Sequence, residues 1–136
     1  MTPTFQSASL LTATIEGDLK TVKRQLDAGA NVNGETSSGN SLLHAAALGG
    51  SMEVAALLIE HGADVDGRDK FGKTALHCAG RAGHQEIATL LIDHGASINA
   101  KARNGSHPLD WAIKFEHEAV ATLLRSHGGE CGRALS

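Results

Sequence analysis

Cysteine is scarce. Cys78 and Cys131 are the only two in 136 residues, 53 positions apart and without Cys-x-x-Cys spacing. That excludes a disulfide-stapled secreted scaffold; Cys78 reads as a buried structural thiol and Cys131 as a free one in the tail. Long apolar runs are missing too: a stretch such as 54–59 is far short of the ~20 residues that cross a bilayer. Positive charge is not in excess, since 12 Lys and Arg stand against 15 Asp and Glu for a net charge of -3. A generally basic nucleic-acid binder is thereby excluded, though not a local basic patch. The N-terminus, MTPTFQSASLL, has neither a basic start nor a long apolar run, so no signal peptide is expected. No nucleophile elbow, phosphate loop, dinucleotide fingerprint or His-Glu-x-x-His motif is present. The expectation is one soluble intracellular domain, cytoplasmic with the nucleus left open, large enough for an ordinary core and without enzymatic activity.

What the sequence does have is a period. Gly17, Gly50 and Gly83 recur at one fixed spacing, and Gly29-Ala30, Gly62-Ala63 and Gly95-Ala96 recur at the same one. Leu10, Leu43, Leu76 and Leu109 keep it as well, and so do His44 and His77. Laying 36–68 over 69–101 without a gap gives 13 identities in 33 columns. A fixed period of that size means stacked supersecondary units.

Each unit reads as two short helices and a turn. SLLHAAALGG is rich in leucine and alanine and stops at glycine, as a short helix does. Val54, Leu57 and Leu58 then fall at i, i+3, i+4, a stripe repeated by Ile87, Leu90, Leu91 and by Val120, Leu123, Leu124. The second helix closes at Gly-Ala, where glycine takes the left-handed conformation. Asp66-Gly67 and Phe71-Gly72 are turn residues suited to a projecting hairpin. One unit cannot bury its apolar face alone, and stacking supplies the core; Ala46, Ala79 and Ala112 are small enough to let successive helices approach.

The segments GNSLLHAAALGG and FGKTALHCAGRAGHQEIATLLIDHGASIN resemble ankyrin repeats. The resemblance implies an all-α solenoid, a right-handed stack of helix-turn-helix units with projecting β-hairpin loops. The domain is expected over residues 1–130, with repeats near 3–35, 36–68, 69–101 and 102–129 and a patternless tail at 131–136. The end repeats depart from the pattern. Gln25 replaces the leucine of Leu58, Leu91 and Leu124, while Asp110, Glu116 and Gly129 replace a histidine, a glycine and an alanine. Such departures suit capping repeats whose outer side meets water, and suggest a monomeric stack that stands alone. The resemblance also implies that His44 and His77 bond the neighbouring hairpin backbone. Periodic histidines sit about 10 Å apart, too far to share a metal, so neither metal nor cofactor is expected. His107, in the column of Ser41 and Thr74, is expected to cap a helix.

The resemblance further implies binding of another protein on the hairpin tips and the exposed side of the first helices. Those columns hold Arg68, Lys70, Lys73, Arg81, Lys101, Arg103 and Lys114, seven of the 12 basic residues. The acids there are Glu16, Glu35 and Asp69, whereas Glu53, Glu60, Glu86, Asp93 and Glu118 fall on or beside second helices. A basic groove over repeats two to four would attract an acidic segment in a salt-dependent way. Leu48, Phe71 and Phe115 would supply apolar contact, while Trp111, in the column of Thr12, Ala45 and Cys78, is expected to be partly buried and to cover the end of the stack. The alternatives are an anionic small molecule or oligonucleotide in the same groove, or a structural spacer from a longer array.

Overall fold

The computed structural model describes residues 8–34, 36 and 39–132. They form eight helices in four antiparallel pairs: α1 (Ala8–Glu16) with α2 (Leu19–Asp27), α3 (Leu42–Gly49) with α4 (Met52–Glu60), α5 (Ala75–Ala82) with α6 (Gln85–Asp93), and α7 (Pro108–Lys114) with α8 (Glu118–Ser126). First helices stack on first helices and second on second, so every pair touches its sequence neighbours. This is the all-α stack the period predicts. The start of the first repeat, Glu35 and the last tail residues, 133–136, lie outside the described residues.

Periodic columns become layers of the core. Leu10, Leu43, Leu76 and Leu109 are all buried, as are Val54, Ile87 and Val120 on the second helices. Ala46, Ala79 and Ala112 have no accessible surface, which allows the close approach of neighbouring first helices. In the first repeat the stripe shifts by one residue: Val22 and Leu26 are buried at i, i+4, and Gln25 is only half-buried.

Three hydrogen-bond ladders join the repeats. In the first, His44 Nε2–H donates to the Lys73 carbonyl at 2.9 Å and His77 Nε2–H to the Ser106 carbonyl at 3.1 Å. The Nδ1 atoms accept from the backbone N–H of Ser41 and Thr74, at 3.3 and 3.1 Å, which fixes the tautomer of each ring. In the second, Asn33 reaches Gly62 and Asp64, Asp66 reaches Ser97, and Asn99 reaches Gly128 and Glu130. In the third, His84 Nε2–H donates to Leu48 and His117 Nε2–H to Arg81, at 3.2 and 2.9 Å. Where α7 has no such histidine, Asp110 Oδ2 accepts from the His107 and Gly132 N–H groups at 2.7 and 2.8 Å. His107 does stand at the N-cap of α7, but its ring binds the Glu130 carbonyl at 2.9 Å and so ties down the segment after α8.

The projecting tips are turns, and the described residues contain no β-strand. Each tip closes by one pair of backbone bonds: Asp69 N–H to Lys73 O and Gly72 N–H to Asp69 O, repeated one period on by Ala102 with Ser106 and Gly105 with Ala102. Gly72 adopts φ 78°, and a side chain there would meet the Arg103 amide at 3.0 Å. A hairpin ladder is therefore replaced by tip-to-tip contact, with Arg103 N–H donating to the Phe71 carbonyl at 2.9 Å.

Candidate functional site

The tips and the exposed side of the first helices frame two open grooves that share Phe71, Lys73 and Trp111. The larger, about 340 Å³, is lined by Phe71, Lys73, Ala102, Arg103, Asn104 and Trp111. The smaller, about 190 Å³, adds Asn40, Leu48 and Arg81 to the shared residues, with Asp69, His77 and Cys78 also in its lining. Of the residues singled out in the sequence, Leu48, Phe71, Lys73, Arg81 and Arg103 are thus brought together.

Local chemistry fixes this arrangement. Asp69 is buried, and its Oδ1 accepts from the N–H groups of Phe71 and Lys73, both at 2.9 Å. Its carboxylate is consumed by the turn, so the acid read in this column does not oppose the cations as a free surface charge. Phe71 is left projecting, with 55% of its surface exposed. Trp111 is oriented by a relay: its Nε1–H donates to Ser106 Oγ at 3.1 Å, and that hydroxyl donates to Asn104 Oδ1 at 2.6 Å.

Cations lie on the rings. Lys73 Nζ is 5.7 Å from the Phe71 centroid and 5.4 Å from that of Trp111, while Lys70 Nζ is 5.1 Å from Phe71. Arg81 lies 5.4 Å over Phe115, which in turn stacks on Trp111 with centroids 5.9 Å apart. Such placements hold long side chains over the groove and leave their charge available to an anion. Trp111 is half-buried as its column predicts, but its open surface lines the grooves instead of covering the end of the stack.

Four of the proposed cations are not gathered. Arg68 donates from one guanidinium nitrogen to the Gly72 and Lys101 carbonyls, at 3.0 and 2.7 Å, clamping one tip to the next. It lines a separate depression with Asn33, Asp64 and His44. Lys70, Lys101 and Lys114 are exposed but outside both linings. Phe115 is 37% exposed and backs Trp111 without lining a groove itself. Asn40, Ala102, Asn104 and the floor residues His77 and Cys78 are lining residues outside the charge-and-apolar projection; Trp111 was expected as an end cover, and the signal available for it was its size in a column of small residues.

Burial drives the titration of the groove floor. It pushes the Cys78 thiol up to about 12, which leaves it protonated and unreactive at neutral pH. It pushes His77 down to about 4, against the opposing hydrogen bond to Ser106 and with help from Arg68 and Lys73. Both are structural in character. Among the described residues no three His, Cys, Asp or Glu side chains are grouped as a metal ion would require, and no helix is long and apolar enough to cross a membrane.

Residues 10–102 match a protein-family model described as ankyrin repeats, three copies. The matched span covers α1 to α6, and the fourth helix pair follows it. Comparison with curated protein sequences gives no match.

Proposed function

This chain belongs to the ankyrin repeat family, and we propose that it is a binding module or adaptor that takes an acidic segment of another protein along its tips and first helices. Ankyrin repeats are generally protein–protein interaction modules. The observation that carries the finer reading is the meeting of Lys73, Arg81 and Arg103 with the rings of Phe71 and Trp111 in two adjoining grooves. Aromatic and arginine side chains dominate binding energy when they can be desolvated together. The acids favour the same side: Glu53, Glu60, Glu86, Asp93 and Glu118 all lie on second helices, away from the grooves. A net charge of -3 with this distribution steers an acidic partner to one face and repels it elsewhere.

The test is affinity capture from lysate, with and without nuclease treatment, by the wild type beside an Arg81→Glu/Arg103→Glu double variant. Both residues are exposed, so circular dichroism should show an unchanged fold. A protein retained by the wild type and released by the variant is the expected outcome. Retention by both would refute the groove as the site, and release by nuclease alone would turn the reading to an oligonucleotide.

A further inference from the structure

We infer that the 340 Å³ groove is an anchor pocket for one apolar side chain of the partner segment whose neighbouring residue carries a carboxylate. The inference rests on the protein-binding reading above and names what that reading recognises.

The lining has two halves. Phe71 and Trp111 form aromatic walls, with Ala102 beside them and nearly all of its own surface buried. An apolar group seated against the ring surface that Lys73 leaves open removes that surface from water. Lys73 and Arg103 supply positive charge at the same groove, and no carboxylate is among its lining residues. An incoming ammonium group is disfavoured, because the ring faces it would use already hold Lys73 Nζ, at 5.7 and 5.4 Å. A purely acidic segment leaves the rings wet, and a purely apolar one leaves the two cations without a counter-charge.

The pocket is also preorganised. Asn104 and Ser106 fix the indole through its Nε1–H, and the Phe71 backbone is held on one side by Asp69 and on the other by Arg103. The indole and the Phe71 backbone are therefore set before binding, which favours a short anchor over a large area. Successive residues of an extended segment are about 3.3 Å apart, so an apolar residue and its acidic neighbour can meet both halves at once.

Trp111 is the only tryptophan and the chain has no tyrosine, so its emission reports directly on this pocket. The probes are three synthetic peptides: acetyl-GGDLEGG-amide, the same with leucine replaced by glycine, and the same with Asp and Glu replaced by Asn and Gln. Titrated to millimolar concentration, the first should shift Trp111 emission in a saturable way and bind about tenfold more tightly than either control. Phe71→Ser and Lys73→Met should each weaken it by about tenfold. Phe71 is mostly exposed, so its variant stays folded whatever the lysine change does. Equal affinity for the leucine and glycine peptides, or no saturable shift, would overturn the pocket. If that happened while lysate capture still depended on Arg81 and Arg103, the protein-binding reading would stand alone; if capture were indifferent as well, both would fall.

Discussion

His77 makes the stability of the stack depend on pH in a way that can be calculated. It sits in the first turn of α5 with 1% of its surface exposed, accepts at Nδ1 from Thr74 N–H, and donates from Nε2 to the Ser106 carbonyl across the repeat boundary. Burial, the largest cause, lowers its pKa from 6.5 to about 4. A proton on Nδ1 would also face the Thr74 N–H that now donates to it. The unfolded chain therefore takes up a proton near pH 6.5 that the folded chain refuses until about pH 4. The contribution is whole above 6.5, declines as pH falls through the window, and is fully lost below about 4. A shift of that size corresponds to about 3 kcal/mol at ~1.4 kcal/mol per unit, of which about 2–3 kcal/mol disappears between pH 7 and 4.5. The comparison is His77→Gln, a neutral side chain that can still accept from the N-cap amide. At pH 7 the variant should be less stable by about 1–2 kcal/mol, because the buried Ser106 carbonyl loses the His77 donor and keeps only the Ala102 N–H. By pH 4.5 the difference should shrink by about 2–3 kcal/mol, since the variant has no proton to refuse. Urea unfolding followed by circular dichroism at several pH values measures both curves. Curves that stay parallel across the whole window would refute the assignment of the proton to His77.

Two further outcomes test the packing. Gly83 holds φ 81° directly under the His117 ring, whose Cγ would lie 2.7 Å from an added Cβ, whereas Glu116, in the same column, holds φ 61° with a side chain already in place. Gly83→Ala should lose about 2–4 kcal/mol from backbone strain and the broken His117–Arg81 bond, and Glu116→Gly should gain about 0.5–1 kcal/mol; a stabilised Gly83→Ala in thermal melts would contradict this. A maleimide at neutral pH should label one thiol quickly, the exposed Cys131, although partial desolvation and nearby Asp110 slow it by raising its pKa. Cys78 should react only on opening, and equal labelling rates by mass spectrometry would show that it is not buried.

The stack was legible because its core is periodic. Leucine and alanine columns at a fixed spacing predict layers, and the layers are there. The first histidine ladder followed from the resemblance. The second ladder carries the same signal in Asn33, Asp66 and Asn99, each one period from the next, yet polar columns in loops do not reveal which carbonyl they will meet. The groove was legible only in part. Counting charges by column found Lys73, Arg81 and Arg103 but could not see that a guanidinium is long enough to turn back, so Arg68 was credited to the surface when it bridges two backbone carbonyls. Asp69 was counted as an opposing acid for the same reason, since its column does not tell that two amides consume it. The direction of Trp111 depends on a hydroxyl and an amide, those of Ser106 and Asn104, which no column comparison brings together.

The division of labour between ladders and groove bears on how such a module changes partners. Repeats of this kind touch only their neighbours, so stability is a sum of local interfaces. The ladders that join those interfaces use His44, His77, His84, His117, Asn33, Asp66 and Asn99, none of which faces the larger groove. Phe71, Arg81 and Arg103 do face the grooves, and the side chains of Phe71 and Arg81 meet other side chains as ring and cation. Their replacement alters what the surface attracts while leaving the ladders closed. Leu48, Lys73 and Arg81 are points of overlap: their carbonyls receive the rings of His84, His44 and His117, while their side chains line the grooves, the Lys73 ammonium lying between Phe71 and Trp111. Because the ladders use only the backbone of these residues, each can change its side chain without opening the interface. Specificity can therefore drift at fixed stability.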